Sequence, residues 1–180
     1  MTRADMTTAL LLIDLQVDFA SPDGAMARAG RDLSLVPGAL ALASALLDGA
    51  RAAGVPPVFV HLEGHDMCRP GTPGAALVVG PPRSGELVVP KPRFSAFAGT
   101  GLAATLKKQG IVTLVLAGLT SECCVASTAW HGLEEGFQLV IAMDACAAYE
   151  PALHDASLRA LSLSGVRLAR AADILAEWKK

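Results

Sequence analysis

The chain has 180 residues, 52% of them hydrophobic and only 18% charged, with a formal net charge of −2. That length suits a single domain spanning residues 1–180 with a substantial core, and the apolar content excludes a disordered chain. No cluster of Lys and Arg stands out and no apolar stretch approaches the ~18 residues that span a bilayer, so nucleic acid and membrane are not expected partners.

Apolar runs alternate with longer segments of helical period, which predicts a mostly parallel sheet with helices on its faces. The first strand runs from Ala9 to Leu15, and Pro37-Gly38 opens a helix that continues to Ala52 and stops at Gly54. Pro57 to Leu62 is the second strand. Glu63 to Gly85 holds four Pro and five Gly and reads as a long irregular excursion with a helical turn near Ala75. A structureless stretch of that length in a compact domain is usually functional. Glu86 to Pro90 is strand three, Gly99 to Lys108 a helix ended by Gly110, and Ile111 to Ala117 strand four. A helix from Glu122 to Glu135 closes at Gly136, and strand five spans Gln138 to Met143. Pro151 to Ser164 is a helix, Val166 to Ala169 a short sixth strand, and Ala171 to Trp178 a last helix. The expected architecture is an α/β, three-layer α/β/α, Rossmann-like domain built on a six-stranded sheet.

Three ionisable residues follow from that layout. Asp14, Lys91 and Cys124 each sit at or just past the end of an apolar run. In a parallel sheet they emerge on one rim, where open α/β sheets place ligands. An acid and an ammonium flanking a thiol are the parts needed to make a thiolate and use it as a nucleophile. Thr120 or Ser121 is a natural N-cap, which puts Cys124 in the first turn of a helix, where backbone N–H groups and the dipole favour an anion. Taken alone, a Cys at a helix start is more readily a small buried hydrophobe. Of the adjacent Cys123 and Cys124, one is expected to face the pocket, and Cys124 is assigned that place.

The motifs Asp14-Leu-Gln-Val-Asp18-Phe19, Lys91-Pro-Arg-Phe-Ser-Ala-Phe97 with Gly99-Thr100-Gly-Leu102, and Gly118-Leu-Thr-Ser-Glu-Cys-Cys124-Val125-Ala-Ser-Thr128 occur in this order. Together they resemble the isochorismatase-like cysteine hydrolases, over a span from about Ala9 to Tyr149. The resemblance implies an Asp14–Lys91–Cys124 triad. In it Asp14 exchanges the proton, Lys91 holds the charges, and Cys124 attacks an amide-type carbonyl to give a thioester that water cleaves. It also implies an oxyanion hole of backbone N–H groups around a non-proline cis peptide, here mapping to Leu119–Thr120 and ending at Cys124. Homo-oligomers, dimer or tetramer, are implied as well, and the apolar surplus over the usual ~45–50% is compatible with a buried subunit interface.

Residues close to the three motifs are candidates for the pocket. Gln16 and Phe19 follow Asp14, although Gln16 serves equally as a structural hydrogen-bonding group. Arg93 reads as a bidentate clamp on a substrate carboxylate or carbonyl, or as a surface arginine. Phe94 and Phe97 read as pocket walls or as core rings. Asp18 reads as a solvated or capping acid, Asp144 as a brace for a loop, and His131 as a surface or interface residue.

The nicotinamidase branch of the family holds a metal with Asp-x-His and a further His after strand two. Here the region reads His61-Leu-Glu63-Gly-His65-Asp66, which alternates but departs from that spacing, so no metal is expected. No nucleotide-binding Gly motif is present and no cofactor is expected. Cys68, Cys123, Cys124 and Cys146 show no zinc spacing. The apolar run after Arg3 stops at Asp14, short of the ~7–15 residues of a secretory signal, so free thiols in the cytoplasm are the expectation.

Trp130-His131-Gly132 departs from the stretch seen in ureido-hydrolysing relatives, so no ureido substrate is carried over. The function expected is hydrolysis of a small amide, carbamoyl or related C–N substrate. Vinyl-ether hydrolysis releasing pyruvate, or a non-catalytic binding or scaffold role, stands as the alternative.

Overall fold

The computed structural model describes residues 7–179. Within them six strands form one sheet: β1 (Thr8–Ile13), β2 (Pro57–Leu62), β3 (Leu87–Lys91), β4 (Thr113–Leu119), β5 (Gln138–Ala147) and β6 (Arg167–Ala169), in the order β3-β2-β1-β4-β5-β6 with every pair parallel. The helices are α1 (Val17–Ala20), α2 (Ala25–Arg28), α3 (Val36–Ala53), α4 (Leu102–Lys108), α5 (Ala126–Glu134), α6 (Pro151–Leu163) and α7 (Ala171–Trp178). None of these is long and apolar enough to cross a membrane.

The sheet is a Rossmann-like three-layer arrangement because its strands are apolar on both faces. In β1, Leu10 and Leu12 enter a core shared with α3 and α7, while Ala9, Leu11 and Ile13 enter the opposite core with α4, α5 and α6. Strand order reverses beside β1, so the C-terminal ends of β1 and β4 flank the switch-point crevice where α/β sheets bind ligands.

One glycine makes that crevice tight. Ile13 pairs with Gly118, which has φ 132°, and a Cβ there would lie 2.0 Å from the Ile13 carbonyl oxygen. Only a residue without a side chain lets β4 turn away at that point.

Several elements differ from the sequence expectation. β1 stops at Ile13 because Asp14 takes φ 51°, a left-handed conformation, while its N–H still donates to the Val60 carbonyl at 2.8 Å. β5 runs on to Ala147 across a register shift, pairing Cys146 with Gly118. The expected helix from Glu122 to Glu135 begins instead as a π-helical turn, Ser121–Val125, before α5. The excursion contains one short 3-10 turn, Pro73–Ala75, close to the expected helical turn. The short helices α1 and α2, four residues each, are too brief for periodicity to reveal.

Candidate active site

Lys91 reaches the site from the edge strand. Along β3 the side chains alternate, with Val89 and Lys91 buried and Val88 and Pro90 exposed, so the pleat sends Lys91 inward. The Glu63 N–H donates to the Lys91 carbonyl at 3.1 Å and fixes this end of the strand against the end of β2. The following loop is tied to α5, with the Ala96 N–H donating to Thr128 Oγ1 at 3.0 Å and Ser95 Oγ lying 3.1 Å from His131 Nδ1.

The Lys91 ammonium collects three partners. Nζ lies 2.8 Å from Asp14 Oδ2 and 3.4 Å from Cys124 Sγ, and it donates to the Arg93 carbonyl at 3.0 Å. Asp14 and Lys91 are both 0% exposed and Cys124 is 3% exposed. Asp14 Oδ1 has no hydrogen-bond partner among the described residues, so this oxygen is free to accept a proton.

Burial pushes the Asp14 carboxyl above its ordinary 3.8, with the Lys91 charge working against that shift. The Cys124 thiol is pushed up by its hydrogen bond with Cys123, by burial and by Asp14, while Lys91 opposes. Cys123, the other partner in that bond, is lowered by it. Lys91, 3.4 Å from Sγ, is the charge that favours the thiolate. Cys68 and Cys146 are pushed up to about 12, mainly by burial, and are inert thiols.

The turn that carries Cys124 begins after a cis peptide between Leu119 and Thr120. The Cys123 and Val125 N–H groups both donate to the Thr120 carbonyl at 3.1 Å, and the bond from Val125, reaching back to residue 120, closes the π-helical turn. The Thr120 and Ser121 hydroxyls do not cap it: Thr120 makes no side-chain cap bond, and Ser121 Oγ lies 2.7 Å from His154 Nδ1 on α6. In the widened turn successive side chains diverge less than in an α-helix. Cys123 and Cys124 consequently both line one cavity, contrary to the expectation that only Cys124 would.

That cavity is about 350 Å³ and opens over the rim. Phe19 and Phe94 line it as expected, Phe94 being 63% exposed. Three other expected lining residues lie elsewhere. Gln16 is fully buried and braces backbone, with Nε2 donating to the Leu62 and Ala75 carbonyls and Oε1 accepting from the Leu62 N–H. The Arg93 side chain is exposed outside the cavity, and what it contributes is the carbonyl that receives Lys91. Phe97 is a core ring, stacked on Phe137 at 5.7 Å and edge-on to His131 at 5.6 Å.

Sequence reasoning missed Tyr149, Glu122, Met26 and Leu153 in the lining. Tyr149 follows β5 much as Asp14 follows β1, so the strand-end argument applied one strand further would have found it. Asp18 is a buried capping acid: Oδ1 accepts from the Ala25 N–H at the start of α2, and Oδ2 from the Cys68 N–H at 2.7 Å. Asp144 Oδ1 accepts from the Ala171 N–H and braces the start of α7.

The residues after β2 do not fit a metal. His61 Nε2 stands 3.5 Å from Glu63 Oε1 beside one cavity, whereas His65 and Asp66 line another. Among the described residues no three His, Cys, Asp or Glu side chains converge in a way that would hold an ion.

Residues 8–173 match the isochorismatase domain model. The chain is 31% identical over 190 residues to a ureidoacrylate amidohydrolase of Methylobacterium radiotolerans, covering 84% of this chain and 72% of that protein. It is 39% identical over 155 residues to the streptothricin hydrolase of Streptomyces noursei, covering 83% of this chain but only about half, 53%, of that relative. The crystal structure of an isochorismatase family protein from Desulfovibrio vulgaris superposes with a TM-score of 0.83 at 31% identity, covering 95% of this chain and 99% of the other.

Proposed function

The chain belongs to the isochorismatase family of hydrolases, and from that premise we propose that it cleaves a small amide, carbamoyl or related C–N bond through a thioester on Cys124. The observation that supports this reading is the placing of one buried ammonium 2.8 Å from a carboxylate and 3.4 Å from a thiol, beside a cavity of substrate size. Asp14 takes the Cys124 proton as Sγ bonds to the substrate carbonyl carbon. Backbone N–H groups around Thr120 and Cys124 receive the oxyanion. Asp14 then gives the proton to the leaving nitrogen as the C–N bond breaks. Water, deprotonated by Asp14, attacks the thioester, releasing the acid and restoring the thiol. Lys91 keeps Asp14 ionised and offsets the negative charge that grows on sulfur.

Incubation with a panel of small amides and isochorismate tests the reading, with ammonia, pyruvate and covalent adducts scored by product assay and intact mass. Cys124→Ala is expected to abolish both amide turnover and the adduct. Ammonia release undiminished in that variant would overturn the thioester route, and pyruvate release surviving it would favour vinyl-ether chemistry. Because the base must be ionised, kcat/KM should fall on the acid side with a midpoint above 3.8, the direction in which burial moves Asp14.

A further inference from the structure

The cavity beside Cys124 carries a charge that the proposed chemistry does not use. Glu122 lines it two residues before Cys124. Its Oε2 is closed off from solvent and has no hydrogen-bond partner among the described residues, and none of the ion pairs there includes it. A carboxylate oxygen withdrawn from water without a donor is costly, and such groups are normally met by a cation or an N–H. Its place in the first turn of a helix eases that cost through the dipole but leaves Oε2 unbonded.

The other charges around the cavity cancel. Asp14 and Lys91 pair with each other. Glu150 and Arg31, of opposite sign, are both exposed. Much of the remaining wall is apolar or aromatic, including Phe19, Leu62 and Tyr149, whose hydroxyl is already committed to the Phe19 carbonyl at 2.9 Å. One uncompensated carboxylate in an apolar chamber discriminates by charge more sharply than the same group in water.

We propose that Glu122 selects substrates by charge. On this assignment, which rests on the amide-hydrolase reading of the same site, the preferred substrate is a small amide bearing a cationic nitrogen. A short apolar spacer separates that nitrogen from the scissile carbonyl and brings it against the Glu122 carboxylate, where the two opposite charges pair. Glu122 is then a specificity determinant separate from the Asp14, Lys91 and Cys124 groups.

Binding is measured first, in Cys124→Ala protein, so that no turnover is needed. Ligand-detected NMR titrations compare γ-aminobutyramide with pentanamide, which has methyl in place of ammonium, and with glutaramate, which has carboxylate. A longer series uses ε-aminocaproamide, heptanamide and pimelamate. For at least one length the ammonium ligand should bind about tenfold or more tightly than its methyl counterpart. Adding Glu122→Gln should bring that ratio to within about twofold of unity, whereas adding Glu134→Gln, an exposed acid outside the cavity, should leave it in place.

Equal binding of ammonium and methyl ligands at both lengths would overturn the assignment. So would tightest binding of the carboxylates, or a preference that survives Glu122→Gln. The ligand comparison needs no change at Glu122 and decides the charge preference even if that variant does not fold. Ammonia release by the protein with Cys124 intact is scored on the same compounds. Preferential binding without any ammonia release would sink the hydrolase reading and leave the Glu122 assignment standing. Release with no charge preference would do the reverse.

Discussion

The two sides of the cleft are built by opposite means. On one side Asp14, Lys91 and Cys124, the groups proposed to react, stand on the ends of β1, β3 and the turn after β4, packed to near-zero exposure and joined to each other by a single ammonium. On the other, α1, α2 and the excursion supply Phe19, Met26 and Met67 from irregular chain whose anchors are side chains bonded to backbone. Reacting atoms need placement to a fraction of an ångström, which packed strands supply. Walls that choose among substrates tolerate variation and are carried by loops. The comparison therefore predicts that damage to the strand-end side is severe in stability and chemistry together, while damage to the excursion is milder and separable.

Lys91→Met carries the largest expected effect. It leaves Asp14 buried with neither oxygen bonded, a loss of about 3–5 kcal/mol, and it removes the cation beside sulfur, so ammonia release should vanish. Urea unfolding with a parallel activity assay checks both, and a loss below about 1 kcal/mol would mean the strand ends do not depend on this pair. Gly118→Ala comes next. The φ of 132° and the 2.0 Å approach to the Ile13 carbonyl oxygen leave no place for a methyl group, so a loss of about 3 kcal/mol is expected in the same assay. An unchanged midpoint would refute the close approach of β4 to β1.

The same contrast explains what could be read in advance. Apolar runs ending in Asp14, Lys91 and Cys124 were legible because buried strands leave continuous Val, Ile and Leu, and an ionisable residue interrupting that pattern marks the rim. The wall residues left no such mark. Gln16 and Phe97 sit inside conspicuous motifs, yet one hydrogen-bonds to strand ends and the other fills the core, because proximity in sequence does not fix which way a side chain points. Glu122 stood out only as the start of a predicted helix, since its significance depends on an oxygen that only three dimensions show to be enclosed. Proline and glycine marked the excursion as irregular but not its anchors, which come from Gln16, Asp18 and Arg51, far away in sequence.

Those anchors give the smaller effects. Gln16→Ala removes bonds to the Leu62 N–H and carbonyl and to the Ala75 carbonyl, and a loss of about 2 kcal/mol is expected with KM raised more than kcat is lowered. Steady-state kinetics beside urea unfolding checks this, and a kcat collapse with unchanged KM would mean that Gln16 acts on the chemistry rather than the wall.

Glu86→Gln comes last. The Arg51 guanidinium donates to both Glu86 oxygens, at 2.8 and 2.7 Å, and to the Pro81 carbonyl at 2.8 Å, pinning the end of the excursion to α3. The Arg83 N–H adds a bond to Glu86 Oε2 at 2.7 Å. Near neutral pH the loss should be about 1 kcal/mol, because the amide keeps one oxygen for the Arg51 guanidinium and forfeits only the charge assistance of the pair. Hydrogen bonding with Arg51 holds the Glu86 carboxyl below its ordinary 4.5. A depressed folded-state value means the carboxylate contributes stability above 4.5 and loses it as pH falls through the lower folded value. The gap in urea midpoint between the parent protein and Glu86→Gln should therefore be full near neutrality and shrink as the pH drops below 4.5. A gap that stayed constant across that range would show that the variant acts through packing, and the excursion would then be held by apolar contact much as the strand ends are.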